Sequence, residues 1–182
     1  MKTFSQFISE AASARNMLFH GTNIKAAVSI IKSGELHSSS NQNTWTVIPP
    51  QIEFPAHAVE VAYHEDGAWK ARTISFTRSY QRAADFPVIL EFSRDRIANR
   101  YKLEPIRNSA VFDKYDLPDH FHEFEEMIFA KKISVGAALT GIWIREFRGK
   151  DTKDVGYLRA DPRFKGTFAT SGMYTFPKFK HV

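Results

Sequence analysis

Asn16-Met-Leu-Phe-His20-Gly21-Thr22-Asn23, continued by Ile24-Lys-Ala-Ala-Val-Ser-Ile-Ile31-Lys-Ser-Gly34, decides how this chain is read. Met17, Leu18 and Phe19 form an apolar run too short for a helix and suited to a buried strand. Gly21 is expected to break that run. Thr22 or Asn23 then caps a helix whose apolar positions Ile24, Ala27, Val28 and Ile31 share one face. Gly34 stands where a helix stop favours positive φ. The stretch therefore predicts strand, His-Gly-Thr, helix, stop. A histidine held at the end of a buried strand, beside a glycine that lets a ligand approach the backbone, suits a binding site. It equally suits a satisfied histidine in a tight turn, and the stretch alone leaves both readings open.

Two later stretches extend it: Ile74-Ser-Phe-Thr-Arg-Ser79 and Glu123-Phe-Glu125-Glu126-Met-Ile-Phe129. In this order, each beside a strand-like run, the three resemble the ADP-ribosyltransferase fold superfamily, whose members bind NAD in a cleft between two small sheets. In that superfamily a first strand carries Arg or His, often as His-Gly-Thr, a second carries small hydroxyls, and a later one opens with the catalytic glutamate. The resemblance spans roughly Leu18 to Ile144. It implies an α+β fold, a split β-sandwich of two small sheets flanked by short helices.

It also implies roles. His20 would hold the adenosine-side ribose, Gly21 the nicotinamide amide through its backbone, and Thr22 would complete that first motif. Ser75 and Thr77 would form the hydroxyl motif on the cleft wall, and Tyr80 or Phe76 would stack on nicotinamide. Glu126, which directly precedes a strand-like run, or Glu125, which completes the Glu-x-Glu pattern of Glu123-Phe-Glu125, would stabilise the cationic state formed as nicotinamide leaves. Glu123 and Arg78 would serve the acceptor or a secondary role. Taken singly, Ser-Phe-Thr is an ordinary half-exposed strand, and three acids packed so closely also suit a solvated turn, because they repel one another near a sheet edge.

Composition bounds these readings. At 182 residues, 43% hydrophobic and 14% aromatic, the chain suits one globular domain with a real core. Having no cysteine, it excludes disulfides, thiolate metal sites and a cysteine nucleophile. No apolar run approaches the roughly 20 residues that cross a bilayer, so no membrane association is expected. The net charge of +5 mildly favours contact with DNA or another polyanion.

The N-terminal Met1-Lys-Thr-Phe-Ser-Gln-Phe-Ile-Ser-Glu10-Ala11 places Phe4, Phe7, Ile8 and Ala11 at helical spacing. It reads as a short amphipathic helix packed on the domain. It is also similar to the capsid-targeting peptides of T-even-like bacteriophage internal head proteins, which a prohead protease cuts after a hydrophobic-x-Glu tripeptide, here Ile8-Ser9-Glu10. That likeness implies a propeptide over 1–10 docking on the capsid scaffold, a single domain over 11–182, and a protein that rides in the virion interior and then enters the host cytoplasm.

Elsewhere the signals are plainer. Residues 38–70 read as an irregular insertion carrying His57, His64, Glu65 and Asp66, which look like scattered surface polar residues rather than a metal site. Strands are expected over 45–48, 72–77, 87–92, 101–105, 127–129 and 142–147, a helix turn over 79–85, and a Ser93-capped helix to Ala98. Residues 106–120 read as a loop. From Gly149 the chain interleaves cations and aromatics, which suits a single-stranded nucleic-acid surface but reads here as a solvated C-terminal extension partly packed on the core. There is no repeat, P-loop or dinucleotide fingerprint.

Together these features predict a mono-ADP-ribosyltransferase that consumes NAD and modifies a host protein or nucleic acid without a metal. Histidine at position 20, where arginine-specific members carry Arg, argues against protein arginine as acceptor. Two alternatives stand beside it. One is RNA 2′-phosphotransfer, also NAD-dependent and reliant on cleft cations such as Arg72 or Arg78. The other is a non-enzymatic internal head protein that binds DNA or inhibits a host nuclease.

Overall fold

A computed structural model of the protein describes residues 16–38, 46–48, 60–78, 80–106, 125–146 and 152–168. The proposed propeptide over 1–10, the loop over 107–124 with Glu123, and the chain beyond 168 lie outside the described residues. What is described is a mixed α/β structure, mostly strands with a few short helices.

The opening stretch folds nearly as read, with one correction. Strand β1 runs Met17–Thr22, so Gly21 continues it instead of ending it. The reason is lateral: β1 is paired along its whole length by β7 (Val88–Ser93), with Gly21 opposite Ile89. Helix α1 follows over Ile24–Ser33. Of the two candidate caps it is Asn23 that acts, its side chain accepting from the Ala26 amide at 2.8 Å, and Gly34 ends the helix in the left-handed conformation.

The remaining strands are β2 (Glu35–His37), β3 (Thr46–Ile48), β4 (Ala62–Glu65), β5 (Ala68–Ala71), β6 (Thr73–Thr77), β8 (Glu104–Ile106), β9 (Glu125–Phe129), β10 (Lys132–Ser134), β11 (Leu139–Arg145) and β12 (Phe164–Phe168). The other helices are α2 (Tyr80–Ala83), α3 (Arg94–Ala98) and α4 (Lys153–Ala160). As expected, Ser93 caps α3, its hydroxyl accepting from the Arg96 amide.

Seven strands form one sheet in the order β12-β11-β7-β1-β6-β9-β8. Its continuity is uneven. β1 and β7 pair throughout, as do β6 and β9, but among the described residues β1 and β6 share one registered pair, Phe19 and Thr77. The sheet is thus two well-paired halves, β12-β11-β7-β1 and β6-β9-β8, meeting at a seam. The remaining strands make a two-stranded sheet, β10-β2, and a three-stranded one, β3-β5-β4.

Strand alternation builds a core on each face of the sheet. Leu18, Phe76, Leu90, Phe92, Ile128 and Ile144 point to the face covered by Ala27, Val28 and Ile30 of α1 and Leu158 of α4. Ile89, Trp143 and Phe168 point to the opposite face, where they meet Ala83, Ala84, Phe19 and Tyr80.

Two regions differ from the sequence reading. Residues 152–168, read as a solvated extension partly packed on the core, are packed on it as a regular helix and strand of the fold. Thr152 caps α4 through the Val155 amide, Val155 and Leu158 bury one helix face, and β12 adds a parallel edge strand to β11 with Phe168 fully buried. Within the supposed irregular insertion, β4 and β5 form a hairpin. Its turn is Asp66-Gly67, both at positive φ (52 and 77), as a tight two-residue hairpin turn requires.

Phe92 links both halves of the main core: it lies opposite Leu18 on β1 and Leu139 on β11, and its ring meets that of Phe76 edge-on at 5.6 Å. Truncating it leaves a cavity under the seam. Phe92→Ala is expected to lower stability by about 3–5 kcal/mol, measured by urea unfolding.

Candidate functional site

The three motif strands are neighbours in space although they are distant in sequence. β1 carries His20-Gly21-Thr22, β6 carries Ser75-Phe76-Thr77, and β9 opens with Glu125-Glu126. The sheet order places them side by side as β1-β6-β9. The candidate residues therefore gather at the seam.

His20 crosses it. Its Nδ1 lies 3.0 Å from the Ser75 carbonyl oxygen. A carbonyl can only accept, so Nδ1 carries the proton and donates, which leaves Nε2 of the neutral ring as an acceptor. The imidazole packs edge-on against Phe76, with ring centroids 6.0 Å apart. Burial lowers its pKa from the ordinary histidine value, and the Ser75 hydrogen bond opposes that shift only in part.

Phe76 lies opposite Glu126 on β9, so His20, Phe76 and Glu126 form one row on the main-core face. Glu126 is only 1% exposed. Its charge is met by two arginines. Arg78 Nε donates to Oε1 at 2.6 Å with Nη2 donating to the same oxygen, and Arg94 Nε reaches Oε1 at 3.0 Å and Oε2 at 2.9 Å. Arg78 directly follows β6, whereas Arg94 opens α3 at the end of β7. The Arg94–Glu126 ion pair consequently ties one half of the sheet to the other.

The opposite parity holds the rest. Ser75 and Thr77 are half-buried, opposite Met127 and Glu125 respectively, and Thr77 shares the seam's one registered pair with Phe19. Gly21 shares this parity. A Cβ built there would lie 2.2 Å from Phe86 Cδ2 and 2.9 Å from the Ala83 carbonyl oxygen, so only glycine admits this close approach. Phe86 itself is 49% exposed, an aromatic ring laid against bare backbone beside the seam. Its turn is anchored by Arg145, whose Nη2 donates to the Ala84 and Asp85 carbonyls at 2.7 and 2.6 Å.

Several expected residues sit elsewhere. Thr22 is buried at the end of β1, opposite Val88. The two rings expected to stack on a ligand are packed in the interior. Phe76 is 1% exposed, and Tyr80 meets Phe19, Trp143 and Phe168 edge-on at 5.7, 5.8 and 6.1 Å. Burial, with the nearby Glu91 carboxylate, pushes the Tyr80 phenol well above its ordinary pKa, so it stays neutral. Arg72 directly precedes β6, at the opposite end of the strand from Arg78, its amide bonded to the Val61 carbonyl at 2.8 Å.

Three residues were not anticipated: Phe86, Arg94 and Glu91. Glu91 is buried within the apolar run of β7, where it accepts from Trp143 Nε1 at 3.1 Å, Thr140 Oγ1 at 3.3 Å and Lys165 Nζ at 2.5 Å. A lone acid inside Val88-Ile-Leu-Glu-Phe92 was the available signal, since a charge in a fully buried strand requires partners. Phe86, just ahead of Pro87, carried none.

Among the described residues no group of three or more metal-ligating side chains converges, and no helix is long and apolar enough to cross a membrane. No family model, curated protein or solved structure matches this chain.

The lowered pKa of His20 gives stability a definite pH dependence. Below about pH 6.5 the unfolded chain takes up a proton that the folded imidazole resists. Stability is full above that value, declines as pH falls beneath it, and levels off once the lowered folded pKa is passed. Urea midpoints at about pH 7.5 and 5.5 are expected to differ in this direction, and His20→Asn is expected to reduce the difference.

Proposed function

We propose that this protein is an NAD-dependent mono-ADP-ribosyltransferase with an ADP-ribosyltransferase-like split sheet. The observation that carries the reading is the adjacency of β1, β6 and β9. Three short motifs, separated by about 50 residues each in the sequence, lie on neighbouring strands in motif order, at the point where the sheet divides. A chance set of short motifs has no reason to fall on adjacent strands in this order.

The chemistry follows from the groups at the seam. Neutral His20, its Nδ1 proton engaged by Ser75, offers Nε2 as acceptor to a ribose hydroxyl. Gly21 admits the Phe86 ring against its backbone, and that half-exposed ring, rather than Tyr80 or Phe76, is placed to stack on the nicotinamide. Ser75 and Thr77 line the adjoining wall. As the bond between nicotinamide and the ribose anomeric carbon breaks, its electron pair leaves with nicotinamide and positive charge develops on the ribose. A nearby carboxylate stabilises that charge while the acceptor forms the new bond and gives up its proton.

Of the two glutamates, Glu126 is held by Arg78 and Arg94, whose two positive charges already outweigh its one. Glu125, at the register position opposite Thr77 and completing the Glu-x-Glu pattern, is assigned the transition-state role. Glu126 keeps the two halves aligned. Carriage in a phage head and delivery to a host, where the acceptor is a protein or nucleic-acid group, belong to the same proposal and rest on the likeness of the N-terminal segment.

Labelled NAD incubated with the purified protein and host lysate tests it. Glu125→Gln is expected to lower transfer by about 10²–10³-fold with stability unchanged. Glu126→Gln is expected to cost about 2–4 kcal/mol in urea unfolding, because it leaves two guanidiniums without their anion. The figure sits somewhat below that of a fully buried pair, as both arginines are partly solvated. Absence of nicotinamide release and of label transfer by the wild-type protein would overturn the enzyme reading in favour of a packaged DNA-binding protein.

A further inference from the structure

We propose that Arg78 and Arg94 form a binding site for a phosphate-bearing anion, with Glu126 as its floor. The inference goes beyond the transfer reaction and does not require it. Two guanidiniums converge on a single carboxylate oxygen, with Arg78 Nε at 2.6 Å and Arg94 Nε at 3.0 Å from Oε1. One negative charge faces two positive ones, so the cluster retains a net positive charge, and the two cations are held side by side despite their repulsion.

The layering is equally directional. The Glu126 side chain is 2% exposed, whereas the side chains of Arg78 and Arg94 are 39% and 31% exposed. The anion is therefore at the bottom and the cations at the solvent boundary. Each guanidinium carries five N–H donors, and two carboxylate oxygens cannot occupy ten. Two described acids close to Arg94 in sequence are engaged elsewhere. Asp95, next to Arg94, accepts from the Asn16 amide, and Glu91 accepts from Lys165 and Trp143 on the opposite face of the sheet.

Planar, paired guanidiniums suit the tetrahedral oxygens of phosphate, which relieve the repulsion and accept several charge-assisted hydrogen bonds at once. Glu126 is a positioning residue in this arrangement. It orients the forks of two arginines that arrive from opposite sides of the seam. The phosphate could be supplied by the phosphoanhydride of a nucleotide or by the phosphodiester backbone of a nucleic acid.

Titration calorimetry of the full chain at low ionic strength, with inorganic pyrophosphate, ADP and a single-stranded oligodeoxynucleotide in separate arms, tests the site without NAD or turnover. Pyrophosphate is expected to bind, and Arg78→Gln to weaken it about tenfold or more. If Arg78→Gln fails to fold, Arg78→Lys, which keeps the charge but loses the fork, is expected to bind pyrophosphate measurably more weakly than wild type. Displacement of pyrophosphate by ADP but not by the oligonucleotide assigns a nucleotide ligand, and the reverse assigns a nucleic-acid backbone. Failure of pyrophosphate to bind the wild-type chain, or binding unaltered by the Arg78 substitution, overturns the proposal.

Discussion

The seam between β1 and β6 is the constraint on which the rest of the structure depends. Among the described residues the two strands share one registered pair, and side chains add bridges across the junction. The His20 ring does so through the Ser75 carbonyl, and Arg94 does so through Glu126. Each bridge joins one half of the sheet to the other. A hydrogen bond of this kind contributes about 0.5–1.5 kcal/mol net. Leaving a buried carboxylate without its partner costs more, which makes Glu126 the stricter requirement.

Such a junction is also a natural place for a ligand. Fully paired strands present side chains but little accessible backbone, whereas a parted pair presents both. The bare backbone of Gly21 under Phe86, the remaining acceptor on His20, and the hydroxyl-bearing strand beside them all lie at this parting. Tyr80, Trp143 and Phe168 pack on the same face as Gly21 and Phe86, His20 and Glu126 lie on the other, and Arg145 anchors the turn that carries Phe86. Core packing and ligand chemistry are thereby distributed over alternate residues of the same strands.

Much of this was legible in the sequence, for identifiable reasons. The Asn23 cap, the Gly34 stop and the Ser93 cap are local signals read within a few residues, and each appears in the structure. The motif strands were legible because short apolar runs flank them. Pairing partners were not, because register is set between distant segments. Hence Gly21 reads as a break in the sequence, although β7 carries the strand through it. The Asp66-Gly67 turn was a missed local signal. β12 was hidden differently: Phe164-Lys-Gly-Thr-Phe168 is short, with a glycine between its two phenylalanines, and it is an edge strand completed only by the distant β11. Arg94 could not be linked to Glu126 from sequence, as nothing in the chain between them announces that β7 and β9 end near one another.

The most direct measurement is an amide chemical-shift titration of the isotope-labelled protein with NAD. The account predicts shifts concentrated on both sides of the seam, at residues 19–21 of β1, 75–78 of β6 with its following arginine, and at Phe86. Shifts confined to one half, clustered instead on α4 and β12, or absent at saturating NAD would contradict the claim that the parting of the sheet is the binding site.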